Sequence, residues 1–389
     1  MSVYESPDFY RIDELLTDEQ RLIRQTVRRF VDAEVMPIIE QHNREGTFPV
    51  HLIPRMGELG VLGANLDGYG CTDVGPVSYG LINQELERCD SGLRSFVSVQ
   101  SSLCMWPIFA YGSEEQRQRW LPGLARGELV GCFGLTEADH GSNPSGMTTR
   151  ATRDGGDYVL NGSKMWITNG SIAQVAIVWA KLDGQVRGFL VEQGMPGFTA
   201  PLIRNKFSLR ASVTSELVFD KVRVPEANLL PGSEVGLGAA LACLDQARYS
   251  IAWGVLGAAM ACYDEALRYA RTRVQFDRPI GGFQLVQKKL AWMITEITKG
   301  QLLAYRLAQL KEAGQLRHYH VSMAKMNNVE IALKIARTAR DILGAAGICD
   351  DHQCGRHMCN LESVYTYEGT HDIHTLILGE AVTGIRAYT

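Results

Sequence analysis

In "LLTDEQRLIRQTVRRFVDAEVMPIIEQ" the apolar positions Leu22, Ile23, Val27, Phe30, Val31 and Val35 recur every three or four residues, a spacing that turns one face of a helix toward a core. Thr17 followed by Gln20 is a capping-box pattern, in which each side chain satisfies an amide at the helix start. "FPVHLIPRMGELGVLG", "GPVSYGLINQELERCDSG" and "SEEQRQRWLPGLARGEL" continue helically with Gly, Pro and Ser as breaks. The pattern predicts a helical domain over residues 1–128. It then changes to short β-branched or alternating runs, "VGCFGLTE", "YVLNGSKMWITNG", "VAIVWAKL", "GFLVEQG" and "ELVFDKVRVPEANLL", parted by Gly, Asp and Asn turns. These predict a β domain over 129–235. Long helical periodicity returns in three segments within 236–389, each long enough for a bundle helix. The expected fold is mainly α with a central β domain.

The chain has 389 residues, which suits two or three cooperating domains and a buried ligand site. A net charge of -4 with Lys and Arg dispersed gives no nucleic-acid surface. No apolar run approaches the roughly 18 to 20 residues of a membrane span, and the acidic start has no signal core. Nine cysteines without a CxxC pair read as reduced thiols in a cytoplasm, or in a mitochondrial matrix after presequence removal.

Neither GxGxxG nor GxxxxGK[ST] occurs, and neither does GxSxG or HExxH, so dinucleotide-fold, P-loop, elbow-hydrolase and zincin readings have no foothold. "CDDHQCGRHMC" interleaves Cys349, Cys354 and Cys359 with His352 and His357. Its spacing is not that of a zinc hairpin, and a helix with buried thiols is the expected outcome; no metal is expected. Gly344 and Gly347 in "DILGAAGI", with Gly141 and Ser142 in "EADHGSNPSG", offer either helix caps and turns or backbone amides for a phosphate. Trp166 and Thr168 stand two apart in "KMWITNG", sharing one face of a strand that could wall a planar ring or simply pack. Near the C-terminus, "YTYEGTHDIH" crowds Glu368, His371, Asp372 and His374 together, as metal ligands or as one carboxylate with bystanders.

In order along the chain, "GCFGLTEADHGS", "NGSKMWITNG", "RTRVQFDRPIGGFQLVQ", "DILGAAGI" and "YEGTHDIH" resemble the acyl-CoA dehydrogenase family from about Thr17 to Arg386. "SGLRSFVSVQSSL", "KFSLRAS", "ARYSIAWGVLGA" and "TYEGTHDIHTLILG" are similar to its glutaryl-CoA dehydrogenase branch. The resemblance implies an N-terminal helical domain, a middle β domain and a C-terminal four-helix bundle. It also implies a homotetramer with FAD in each subunit and electrons passed to an electron-transferring flavoprotein.

By the same resemblance Glu368 is the base that removes the proton α to a thioester carbonyl, while a hydride leaves the β carbon for the flavin. The implied cofactor contacts are Phe133, Leu135, Thr136, Gly141 and Ser142 beside the flavin edge and pyrophosphate, and Trp166, Ile167 and Thr168 at the ring. Arg273, Phe276, Gln284 and Gln287 are implied for the adenosine and pyrophosphate, some toward a neighbouring subunit. Asp341, Gly344, Gly347, Thr370 and Asp372 complete that cradle.

Glutaryl-CoA carries a second carboxylate that needs a fixed cation, a role suited to an Arg fork. Arg94 matches the branch's carboxylate-binding residue, with Ser95 beside it and Glu87 one or two turns earlier on the same predicted helix. Leu244, Arg248 and Tyr249 match a helix flanking the acyl channel, and Ser142, Tyr367 and Gly369 match further substrate contacts. Decarboxylation to crotonyl-CoA and CO2 is expected, with a non-decarboxylating enzyme yielding glutaconyl-CoA as the alternative. Another acyl-CoA specificity, an oxidase or a silent acyl-CoA-binding protein are the rivals. One departure stands out: "LGEAVTG" places Glu380 where the family commonly has Arg.

Overall fold

The computed structural model describes residues 7–387; residues 1–6 and 388–389, at the ends of the two outer expected domains, lie outside it. Helices α1 (Asp18–Phe30), α2 (Ile39–Glu45), α3 (Ile53–Glu58), α4 (Gly75–Cys89), α5 (Ser91–Ser98), α6 (Trp106–Tyr111) and α7 (Glu114–Ala125) come first, with a small ladder of β1 (Asp67–Gly68) and β2 (Cys71–Thr72) among them. The capping box at α1 forms in both directions, Gln20 N to Thr17 Oγ1 at 3.2 Å and Thr17 N to Gln20 Oε1 at 3.0 Å. The first helix is shorter than its periodicity predicts. Val31–Val35 winds as a π turn before Pro37, which has no amide to donate, and α2 restarts at Ile39. Leu22 is solvent-exposed, because it lies one residue off the stripe through Ile23, Val27 and Phe30.

The middle of the chain forms one sheet from β3 (Gly131–Gly134), β4 (Arg150–Asp154), β5 (Asp157–Thr168), β6 (Val175–Leu182), β7 (Gln185–Glu192), β8 (Phe198–Thr199) and β9 (Thr214–Pro225). Strand β6 is buried almost throughout and carries β7 on one edge. Its other edge is shared: β3 pairs parallel with Val175–Val178, and β4 with Lys181 and Leu182. Because β3 and β4 follow one another along a single edge, residues 135–149 between them leave the sheet as a loop. Strand β5 pairs antiparallel with β9, with a register shift between Lys164 and Ile167. The bulge puts Trp166 at φ +65° and turns its indole out of the sheet.

The last part contains α8 (Leu237–Thr272), a hairpin of β10 (Val274–Gln275) and β11 (Arg278–Pro279), then α9 (Gln284–Glu312), α10 (His318–Leu343), α11 (Gln353–Thr366) and α12 (His371–Thr383). Helix α8 has 36 residues, about 54 Å at 1.5 Å per residue. It lies between α10 and α4 and joins the first and last domains. Glycines permit that approach: a Cβ on Gly80 would strike the Trp253 ring, and one on Gly257 would strike the Gln84 carbonyl. No helix of the described residues is long and apolar enough to cross a membrane.

Candidate active site

A cleft of about 1310 Å³ opens where the three parts meet. That exceeds the roughly 300 to 1,000 Å³ of a pocket for one small ligand, leaving room for a cofactor and a substrate together. The sheet supplies Phe133, Leu135 and Thr136 at the end of β3, Gly141 and Ser142 from the ejected loop, and Trp166, Ile167 and Thr168 at the end of β5. Trp166 is 61% exposed and uncovered, an indole face presented beside the Thr136, Ser142 and Thr168 hydroxyls. An exposed aromatic wall with hydroxyls at its rim fits a planar, polar-edged ring such as a flavin. The opposite wall is α8 through Leu244 and Arg248, and the floor is the turn Tyr367–Thr370 with Ser95 of α5.

Two lysines, one buried and one half-buried, fasten the lining of the cleft, and neither was picked out in the sequence. Lys164 is fully buried on β5 and donates to the Leu135 carbonyl at 3.0 Å and to Glu137 Oε1 at 2.9 Å. Glu137 also accepts from the Thr148 amide at 2.7 Å and the Thr149 amide at 2.9 Å, which closes the base of the 135–149 loop. Burial alone would raise the Glu137 pKa, but these donors pull it down to about 2. Lys206 holds the loop between β8 and β9, donating to Leu209 O at 2.9 Å, Ser212 O at 2.8 Å and Thr214 Oγ1 at 2.7 Å. A buried Lys is an ordinary surface residue to a sequence reading, and the only local sign here is its place inside an apolar strand.

Glu368 sits at φ +53° and Gly369 at φ +89°, a reversal between α11 and α12 that aims the carboxylate into the cleft. Its Oε2 is buried without a hydrogen-bond partner. Burial raises the Glu368 pKa, opposed by the charges of Arg94, Lys325 and Arg248. Gly369 permits the turn, since a Cβ there would come 3.0 Å from His374 Nε2. Thr370 caps α12, its Oγ1 accepting from the Ile373 amide at 3.2 Å, while it also lines the cleft.

Arg94 is wholly buried beneath this floor. Its Nε donates to Glu87 Oε2 at 2.6 Å, its Nη2 to the Tyr367 hydroxyl, and its Nη1 has no partner. Glu87 and Arg94 do not share a helix as the sequence reading had it. Asp90 is extended at φ -160° and ends α4, because its carboxylate caps α5 through the Gly92 amide at 2.7 Å. The same carboxylate accepts from Arg356 Nε at 3.0 Å and Asn360 Nδ2 at 2.9 Å on α11, and Asn360 Oδ1 accepts the Leu209 amide at 2.8 Å. Gly254 of α8 makes room for the pair, since its Cβ would strike Glu87 Oε2 and reach Arg94 Cγ at 3.1 Å.

Other expected residues lie off the cleft. Tyr249 is buried among helices, its hydroxyl donating to Pro76 O at 2.8 Å and Lys311 lying over its ring. Arg273 and Phe276 are on the exposed hairpin after α8, with Gln284 and Gln287 at the start of α9; Phe276 is 87% exposed. Asp341 pairs with Lys289, Gly344 caps α10 at φ +60°, and Gly347 and Asp372 are likewise outside the cleft. Glu380 lines the cleft and meets Arg386 Nε at 3.4 Å, so its charge is answered within the chain. Of the cysteine and histidine cluster, Cys354 and His357 are buried in α11 while Cys349 is exposed.

Family models for acyl-CoA dehydrogenases match the N-terminal domain over residues 17–128, the middle domain over 132–222 and the C-terminal domain over 234–383. The chain belongs to the acyl-CoA dehydrogenase family. An acyl-CoA dehydrogenase of Bacillus subtilis (strain 168) is 37% identical over 95% of this chain and 99% of its own length. The crystal structure of glutaryl-CoA dehydrogenase from Mycobacterium smegmatis superposes with a TM-score of 0.97 at 55% identity, covering 98% of this chain and 99% of that one. A second structure of a glutaryl-CoA dehydrogenase from that organism, in complex with FADH2, has a TM-score of 0.97 at 52% identity, covering 98% and 99% of the two chains. A family built for acyl thioesters thus accounts for the size of the cleft.

Proposed function

We propose that the chain is an FAD enzyme that oxidises glutaryl-CoA, decarboxylates the product to crotonyl-CoA and CO2, and passes electrons to an electron-transferring flavoprotein. The observation that carries the substrate choice is Arg94, wholly buried, with Nη1 unpartnered. A buried guanidinium with a spare donor is costly unless an acceptor arrives, and the terminal carboxylate of a glutaryl chain is such an acceptor. A butyryl chain would leave that N–H unmet. The resemblance to the M. smegmatis glutaryl-CoA dehydrogenases supports the same reading.

The residues divide the work as follows. Trp166 and Thr168 would hold the ring of FAD, and Phe133, Leu135, Thr136, Gly141 and Ser142 would line the rest of its site. FAD, when bound, supplies the acceptor for the hydride leaving the substrate β carbon. Glu368 takes the α proton on its carboxylate; its buried site keeps the pKa above the ordinary carboxylate range and closer to that of an activated thioester. The Glu368 backbone N–H is the residue-borne donor available to the thioester oxygen, where enolate charge develops. Ser95 and Tyr367 flank Arg94 at the distal end. A carboxylate β,γ to the new double bond leaves as CO2, its electrons spreading into the conjugated thioester, which then gains a proton.

The homotetramer is part of this proposal. In it the exposed hairpin with Arg273 and Phe276 would serve a neighbour's cofactor, together with Gln284, Gln287, Asp341 and Gly344, a reading supported by their absence from the lining of their own cleft. Domains of 1–128, 129–235 and 236–389 are proposed as the three units.

The test is anaerobic mixing of the holoenzyme with glutaryl-CoA and a flavoprotein acceptor, followed by mass analysis of the thioesters. Crotonyl-CoA with CO2 is the expected outcome. Glutaconyl-CoA as the end product would remove decarboxylation, and butyryl-CoA turned over as well as glutaryl-CoA would remove the substrate assignment.

A further inference from the structure

The three consecutive carbonyls of the floor turn all accept from buried cations. Lys325 Nζ on α10 donates to Tyr367 O at 3.0 Å and to Gly369 O at 2.8 Å, and Arg248 Nε on α8 donates to Glu368 O at 2.8 Å. Lys325 is 1% exposed and Arg248 is 7% exposed. Two neighbouring left-handed residues, one of them a Glu, form a conformation the chain does not hold unaided. The lysine bridging the carbonyls on either side of Glu368 fixes it.

Charge gives Lys325 a second effect. Arg94 is matched by Glu87 at 2.6 Å, and Arg248 by Asp245 at 3.2 Å. Among the described residues Lys325 has no carboxylate in ion-pair contact. The groups that face it are Glu368, Arg248, Arg94 and the ring of His374, whose pKa burial lowers to about 2 and which is therefore neutral. The ammonium thus has no ion-pair carboxylate of its own, and Glu368 is the acid whose charge answers it.

We propose that Lys325 is a positioning residue for the α-proton transfer: it locks the Tyr367–Gly369 turn so that Glu368 points at the substrate, and its charge favours the ionised base. This rests on Glu368 being the base. Burial lowers the Lys325 pKa to about 7, opposed by Glu368, so the proton it carries is held in part by the carboxylate it serves.

The experiment uses the holoenzyme of three variants and reads flavin bleaching by saturating glutaryl-CoA under anaerobic conditions across pH, with FAD content and affinity for crotonyl-CoA as controls. Lys325→Met loses both donors and charge. It should keep FAD, bind crotonyl-CoA within about threefold of wild type, and bleach about tenfold or more slowly. With a positive charge removed from beside it, Glu368 is harder to ionise, so the acid limb of the rate should move to higher pH by roughly half a unit or more. Lys325→Gln keeps two N–H donors without the charge, and should recover much of the rate at high pH while keeping the displaced limb. A rate within about twofold of wild type and an unmoved limb in Lys325→Met would overturn the proposal; if that variant does not accumulate as folded protein, the same result in Lys325→Gln decides against it. Glu368→Gln separates the two readings. If it still bleaches, the assignment of the base fails; if it is silent while the Lys325 variants match wild type, only the role of Lys325 fails.

Discussion

The role proposed for Glu368 rests on its surroundings, for it has three cations near it and a left-handed backbone that aims it. Because burial raises its pKa, bleaching by substrate should fall as pH drops through a value above 4.5, the ordinary value for Glu. Glu368→Gln should retain FAD and lose bleaching, as read by anaerobic absorbance. Arg94→Ala should weaken glutaryl-CoA far more than butyryl-CoA in kcat/KM, by roughly 2–5 kcal/mol for a lost buried charge contact. Gly254→Ala tests the same pocket from behind. A methyl there displaces the Glu87–Arg94 pair, so it should cut glutaryl-CoA turnover while leaving butyryl-CoA turnover nearly intact, in the same kinetic comparison. The "YEGT" stretch announced Glu368 through resemblance, but nothing local announced Gly254 or Lys325. Their partners lie far off in the chain, and only the packing of α8 against α4 and of α10 under the turn brings them into contact.

At the scale of elements, the loop of residues 135–149 depends on one buried pair. Glu137→Ala would leave Lys164 inside the sheet without its carboxylate, so that it must stay charged and unpaired or give up its proton; losing one partner of a buried pair costs about 3–5 kcal/mol, which urea unfolding should show, along with weaker FAD retention. The stability from the Glu137 carboxylate is present above its ordinary 4.5 and is lost as pH falls toward about 2. The order of helices, sheet and helices was legible because apolar periodicity of 3.6 and of 2 reports which face an element buries. Breaks inside that periodicity were not. Asp90 interrupts a run whose spacing continues on both sides of it, and the bulge at Trp166 is set by pairing with β9, which the sequence of β5 does not contain. The same limit explains Leu22, where an apolar residue fell beside the stripe.

Across the whole molecule, lysines drawn out of water recur at the cleft, and desolvation sets Lys164 and the half-buried Lys206 to about 8 and Lys325 to about 7 from an ordinary 10.5. Here the unfolded chain binds more protons than the folded one between about 7 and 10.5, so stability should rise with pH in that window. Buried thiols act in the opposite sense above 9, because burial raises Cys132 from 9.0 to about 12 and the unfolded thiol ionises first. The thermal midpoint of the holoenzyme should therefore climb from pH 7 and turn over near about 9, as calorimetry would read it. Asp90 adds a constraint of another kind. It joins the corner between α4 and α5 to α11, and through Asn360 to Leu209 in the loop before β9. A chimaera that borrows the middle domain of another family member must therefore bring an amide able to meet Asn360, or the graft will shift Arg94 and Glu368 together.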